Sequence, residues 1–227
     1  MISVLRAYNY KIWFKLSVYV FLYLILFFVN LQYQTVCELG KRSFAPTSLK
    51  TFIDLYTPVN IYIMWPYIAC LMYVPISGLF FVFYRKISAF QIIGFYSTVL
   101  SDYILNYLIY IFFPTTAIDV MLTSYETNEK LFINKGMFLH LQDLYNISTP
   151  FGDFPSLHVS PLVILSLFLY KYWRLLFWIY IPFGFLGAIG TFVLKFHTFA
   201  GFFGGIIIGV VVYDLIYKRL FSKYLVD

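Results

Sequence analysis

Six apolar runs, uncharged or nearly so, divide this chain at about residues 16–33, 56–84, 87–113, 156–170, 175–194 and 198–217. A helix needs about 20 such residues to cross the hydrocarbon of a bilayer, and there its backbone groups can be satisfied only within the helix. The fourth run is short, so it must tilt little or borrow flanking residues. Of the 227 residues, 62% are hydrophobic and 11% charged, where soluble domains carry roughly a quarter charged. The sequence therefore predicts an all-α integral membrane protein: six transmembrane helices in one bundle, forming a single domain over residues 1–227.

Charge sets the expected orientation, because lysine and arginine gather on the cytoplasmic side. With both termini cytoplasmic, that side receives Arg6, Lys11, Lys15, Arg85, Lys86, Lys171, Arg174, Lys218, Arg219 and Lys223. The opposite side keeps Lys41, Arg42, Lys50, Lys130, Lys135 and Lys195, diluted by carboxylates. This asymmetry accounts for the net charge of +6 without nucleic-acid binding. The first run follows a basic start but ends in "VNLQYQTVCELG", which offers no A-x-A-like cleavage site, so it reads as a retained anchor. Cys37 and Cys70 suggest no disulfide framework.

The longest polar segment is the outer loop over 114–155. Within it Met137, Leu141 and Leu144 recur at helical spacing and predict a short helix on the membrane surface. In the last two runs Gly184, Gly187 and Gly190, and Gly201, Gly205 and Gly209, line up as small-residue stripes that let helices approach closely.

The topology brings three polar stretches to one face: "FFPTTA" after the third run, "GDFPSLHVSP" at the start of the fourth, and "KFHTFAG" between the fifth and sixth. Pro155 suits the first turn of a helix. Ser156 and the amides around Leu157 would then offer a helix N-terminus to an anion, with His158 placed to donate a proton. Across the gap, Lys195 supplies a positive charge and His197 a nucleophile or a base. Two histidines around one anion can divide phosphoryl transfer between attack on phosphorus and protonation of the leaving oxygen, a chemistry that needs neither metal nor cofactor. Asp102, near the middle of the third run, is expected to face the bundle interior and pair with a polar neighbour, since an exposed carboxylate there costs roughly 2.5 to 3.5 kcal/mol.

These residues resemble the type-2 phosphatidic acid phosphatase superfamily, and within it the inositol phosphorylceramide synthase-like branch. Pro155, Ser156, Leu157 and His158 match the family's PSGH or PSLH motif. Thr191, Lys195 and His197 match the S-T-x-x-x-K-x-H-x-x-x-D motif of that branch, and "FPTTA" from Phe113 is similar to its F-P-T-x-P-P. The likeness covers roughly residues 90–215. It implies a six-helix enzyme in which His197 forms a phosphohistidine, His158 protonates the leaving group, and Ser156, Lys195 and Thr191 hold phosphate oxygens.

Three departures stand out. Gly190 replaces the third motif's serine, the K-x-x-x-x-x-x-R-P motif has no match, and Gly201 stands where the family keeps the aspartate that orients its histidine. Asp153 is the nearest substitute, and it is also placed to cap the fourth helix.

The leading expectation is a lipid phosphate phosphatase or phosphotransferase, its site on the non-cytoplasmic side, with phosphatidate, a polyprenyl phosphate or a sphingolipid-type phosphate as substrate. The alternative is a catalytically impaired relative that binds a lipid phosphate or a membrane partner, in which Gly201→Asp should restore turnover. A transporter fits less well, because the polar residues gather at one face rather than at a midplane site between repeats.

Overall fold

Each apolar run winds into a helix in the computed structural model, which describes residues 2–45, 47–117, 120 and 152–221. In chain order the elements are α1 (Ile2–Leu31), α2 (Tyr33–Ser43), β1 (Thr47–Ser48), α3 (Phe52–Tyr56), a 3-10 turn (Ile61–Ile63), α4 (Met64–Phe83), α5 (Ala89–Phe112), β2 (Thr115–Thr116), α6 (Ser160–Tyr172), α7 (Arg174–Val193) and α8 (Phe199–Val212). Beyond Val212 the last helix continues as a π-helical segment, Tyr213–Phe221. The one departure from all-helical structure among the described residues is a parallel pairing of two residues, Thr47 with Thr115 and Ser48 with Thr116. The expected surface helix around Met137, Leu141 and Leu144 lies outside the described residues.

Four stretches are long and apolar enough to cross a membrane: Lys11–Gly40, Ala89–Phe112, Arg174–Val193 and Phe199–Phe221. The second and fourth runs give the helices α4 and α6, and α6 has only 13 residues. At 1.5 Å per residue, α6 is about 20 Å long against a hydrocarbon core of about 30 Å. It begins at Ser160, with Pro161 in its first turn, rather than at the expected Ser156. The chain ahead of it is committed elsewhere. Ser156 gives its N–H to the Gly201 carbonyl at 2.9 Å, while its own carbonyl closes a turn by accepting from Val159 and Ser160, both at 3.1 Å.

Local sequence sets several of the other boundaries. Ser88 and Gln91 form a reciprocal capping box at the start of α5, and Thr51 and Asp54 do the same for α3. Thr198 caps α8 by accepting from the Gly201 N–H at 3.1 Å.

Packing builds from aromatic rings and small residues. Phe81, Phe95, Phe168 and Tyr217, all fully buried, bring together α4, α5, α6 and the last helix, with ring centroids 4.9 to 5.4 Å apart. At one end of the bundle Tyr84 stacks on Trp173 at 3.9 Å, and the Lys15 ammonium donates to the Tyr84 carbonyl at 3.0 Å. Mid-bundle, Asp102 is fully buried and accepts from the Ser160 hydroxyl at 2.7 Å and the Asn106 amide at 3.1 Å, tying α5 to α6. The polar neighbour expected for it is present.

The glycine stripe of α8 lies directly against the segment that carries PSLH. A Cβ at Gly205 would sit 2.7 Å from the Ser156 carbonyl oxygen, and one at Gly209 would sit 2.7 Å from that of Ser160. Overpacking of this kind costs typically about 1 to 3 kcal/mol. Gly209→Leu is therefore expected to lower the thermal unfolding midpoint in detergent. Ile207→Leu, on the exposed face of the same helix, should leave it within error.

Candidate active site

The chain reverses at the end of α7 through Lys195, whose φ of 63° is unusual for a residue with a Cβ. Its N–H bonds to the Phe192 carbonyl at 3.1 Å, and the chain doubles back until the His197 N–H reaches the Thr191 carbonyl at 3.0 Å. Left-handed backbone at such a residue costs of order 1 to 2 kcal/mol, so the surroundings must hold it. Two buried carboxylates do. Asp153 accepts from the Thr198 N–H at 2.7 Å and the Thr198 hydroxyl at 2.6 Å, while Asp54 accepts from the Phe199 N–H at 2.7 Å. Both act on the first amides of α8, where the helix dipole favours negative charge.

Asp54 also fixes the lysine. The Lys195 ammonium, 1% exposed, donates to the backbone carbonyl of Asp54 at 2.6 Å. Burial lowers its pKa, and the Asp54 carboxylate opposes that shift.

The two predicted histidines meet. His158 Nδ1 lies 2.8 Å from His197 Nε2, and on the far side His197 Nδ1 lies 2.9 Å from the Asp153 carbonyl oxygen and 3.5 Å from its carboxylate Oδ1. A carbonyl only accepts, so the neutral His197 ring carries its proton on Nδ1 and presents a lone pair at Nε2, toward His158. Asp153 thus stands behind the imidazole, and the helix it caps is α8 rather than the fourth helix expected from the sequence.

Gly201 is the counterpart of that arrangement. A Cβ there would lie 2.3 Å from the Asp153 carbonyl oxygen and 2.6 Å from Oδ1. The place where the resembled family would put an aspartate side chain is filled by an aspartate arriving from another segment.

Thr115 positions that segment. Its carbonyl accepts from the Gly152 N–H at 3.0 Å and its hydroxyl from the Phe154 N–H at 2.7 Å, while the Tyr110 hydroxyl donates to the Pro155 carbonyl at 2.6 Å. The three polar stretches therefore do converge. They do not all deliver the expected side chains. The Thr191 hydroxyl donates to the Ala188 carbonyl of its own helix at 2.7 Å, so Thr191 reaches His197 only through its backbone. The Ser156 hydroxyl is fully buried with no hydrogen-bond partner among the described residues, and the N–H groups of Ser156, Val159 and Ser160 are spent on the fold.

Sequence reasoning missed Asp54, Thr198 and Tyr67. Thr-x-x-Asp at Thr51–Asp54 is a capping-box signal that could have drawn attention to Asp54. Tyr67 places its hydroxyl 3.4 Å from His158 Nε2 and stacks on Phe196 at 5.0 Å.

His158, His197, Tyr67 and Phe196 line one part of a cavity of about 640 Å³. Its remaining walls are mainly apolar: Tyr23, Leu26, Phe27 and Leu31 from α1, Met72 and Val74 from α4, and Leu162 from α6. Such a shape suits an amphiphile with one polar end. Among the described residues no group of three or more His, Cys, Asp or Glu side chains is placed to hold a metal ion. A scan against protein-family models finds no match, and searches of curated proteins and of solved structures find none either.

Two outcomes follow from this geometry. Gly201→Asp is expected to displace Asp153 and lower the unfolding midpoint with no gain of turnover, the reverse of the expectation from motif comparison alone; thermal unfolding and lipid phosphate assays on the variant check it. The second concerns acid. Burial, then the adjacent His197 imidazole, lower the pKa of His158, which lies in the turn ahead of α6. The unfolded chain takes up this proton near its ordinary value of about 6.5, so below that pH it binds more protons than the native state. The contribution is complete above the unfolded value and is lost as pH falls. Unfolding midpoints should drop between about pH 7 and about pH 5, and drop less in His158→Gln.

Proposed function

We propose that this chain is a metal-independent lipid phosphate phosphatase or phosphotransferase, acting on the non-cytoplasmic face of a membrane crossed by six helices with both termini inside. The observation that carries the reading is the contact of two imidazoles, 2.8 Å apart, backed by Asp153 and opening on an apolar-walled cavity. The motif resemblance supports the same chemistry. The charge pattern supports the sidedness, since ten of the 16 lysines and arginines fall on the side taken as cytoplasmic.

In this reading a lipid phosphate lies with its tail along α1 and α4 and its phosphorus between the rings. His197 Nε2 attacks phosphorus, and the bond from phosphorus to the lipid oxygen breaks. That oxygen leaves with the Nδ1 proton of His158, whose Nε2 has by then taken the acidic proton of the lipid phosphate monoanion, so the ring ends neutral. The charge gained by the His197 ring is met by the carbonyl and carboxylate of Asp153, the part a carboxylate plays behind the histidine of a hydrolase triad. Water or an alcohol then gives its proton to His158 Nδ1 and attacks phosphorus, the phosphorus–nitrogen bond breaks, the departing phosphate recovers the Nε2 proton, and both rings return to their starting state. Phosphatidate, a polyprenyl phosphate and a sphingolipid-type phosphate all have the required polar head and long tail.

One observation favours a second reading. The Lys195 ammonium and the Thr191 hydroxyl, which would steady phosphate oxygens in the resembled family, are bonded to the Asp54 and Ala188 carbonyls. A relative that binds lipid phosphate without turning it over would have this arrangement.

Purified protein incubated with each lipid phosphate in the presence of a chelator, with products read by mass spectrometry, separates the two. The enzyme reading expects dephosphorylated or transferred product, and a loss of at least about 10²-fold in each of His197→Ala and His158→Ala. Activity surviving in both variants would overturn the assigned roles. Saturable binding with no product from the natural protein selects the second reading.

A further inference from the structure

A one-way chain of hydrogen bonds runs through the site. It starts at the Asp153 carbonyl, which can only accept, so the proton in that contact belongs to His197 Nδ1. In the neutral ring Nε2 then has no proton, and the one shared across 2.8 Å comes from His158 Nδ1. His158 Nε2 is in turn a bare acceptor, and the group facing it at 3.4 Å is the Tyr67 hydroxyl. Reversing the first link would demand a proton from a carbonyl oxygen, and reversing the last would leave two bare nitrogens facing each other across 2.8 Å.

We infer that Tyr67 is a positioning residue, whose hydroxyl proton selects the His158 tautomer that aims Nδ1–H at the nucleophilic nitrogen of His197. In the other tautomer His158 would point its proton at Tyr67 and offer His197 a lone pair, which repels. The ring stack on Phe196 and the close fit of Gly190, where a Cβ would lie 3.1 Å from that of Tyr67, hold the phenol in place. Two consequences follow. The resting pair is closed, with the attacking lone pair covered by the proton later given to the leaving oxygen. An anion entering between the rings meets that proton already directed at it.

The inference rests on the two-histidine site of the preceding reading but not on turnover, because the tautomers exist in the resting protein. The chain has three histidines, so nitrogen-15 NMR of histidine-labelled protein in nanodiscs, above the range where His158 is protonated, resolves each ring. The expected spectrum has protonated Nδ1 and bare Nε2 in both His158 and His197, with His140 as the third signal. Tyr67→Phe, which keeps the ring and its stack, should turn His158 into a mixture of tautomers while the His197 Nδ1–H signal stays. Any turnover should fall in kcat by roughly fivefold, about the worth of one neutral hydrogen bond, at unchanged KM.

A wild-type His158 protonated at Nε2 would overturn the inference, and so would a His158 spectrum unmoved by Tyr67→Phe. If the variant unfolds, shown by loss of the His197 signal, the wild-type tautomer alone decides. The expected spectrum together with no product from any lipid phosphate would retain Tyr67 in this role and reject the enzyme reading. Product with the wrong tautomer would do the opposite.

Discussion

Two carboxylates from distant parts of the chain meet on the first turn of α8, and the site is organised by that meeting. Asp54 binds the Phe199 amide and offers its own carbonyl to Lys195, while Asp153 binds Thr198 and backs His197. Between them they hold a segment whose backbone, at Lys195, is not one a side-chain-bearing residue adopts readily. The lysine is thus less a ligand than a strut: its charge faces Asp54, and its left-handed turn is what brings His197 back over Thr191. Buried charges are kept where they are paired or fully hydrogen-bonded, and here the helix dipole of α8 supplies part of the compensation.

The same geometry explains why small residues matter on α8. The histidine pair requires 153–160 to lie against the start of that helix, and the glycines at 201, 205 and 209 make the approach close enough. Packing and chemistry therefore share one surface. Asp102 adds a second tie, through Ser160, between the helix that ends in the FPTT stretch and the one that begins after PSLH.

The membrane-embedded helices and the meeting of His158 with His197 were legible because both have local signals: apolar run length, and histidines at the edges of those runs. Asp153 was legible as a choice between partner and cap, and it serves as both, though on another helix. What could not be read has a common cause. Asp54 is 145 residues from the amide it binds, and nothing in its neighbourhood beyond a capping box distinguishes it from an ordinary loop acid. Tyr67 is one of 22 tyrosines, inside a run whose composition says only that it is apolar. Gly201 was read as a missing carboxylate. In three dimensions it is the space that another carboxylate needs, and a linear motif has no means of recording a group supplied from elsewhere. The start of α6 was misplaced because Pro155 and Pro161 both suit a first turn, and the choice between them is made by the bond from Ser156 to Gly201.

The cavity is assembled from two separate stretches of sequence. The two imidazoles and Asp153 lie between 153 and 197, whereas much of the apolar wall comes from α1 and α4, between Tyr23 and Pro75. Mutations in the wall can reshape the space offered to a ligand while the imidazoles and their supports stay as they are. Selection can then act on the wall and on the histidine pair as nearly independent traits, and related chains that diverge along α1 would be expected to differ in what fits the cavity while keeping the imidazoles and their supports.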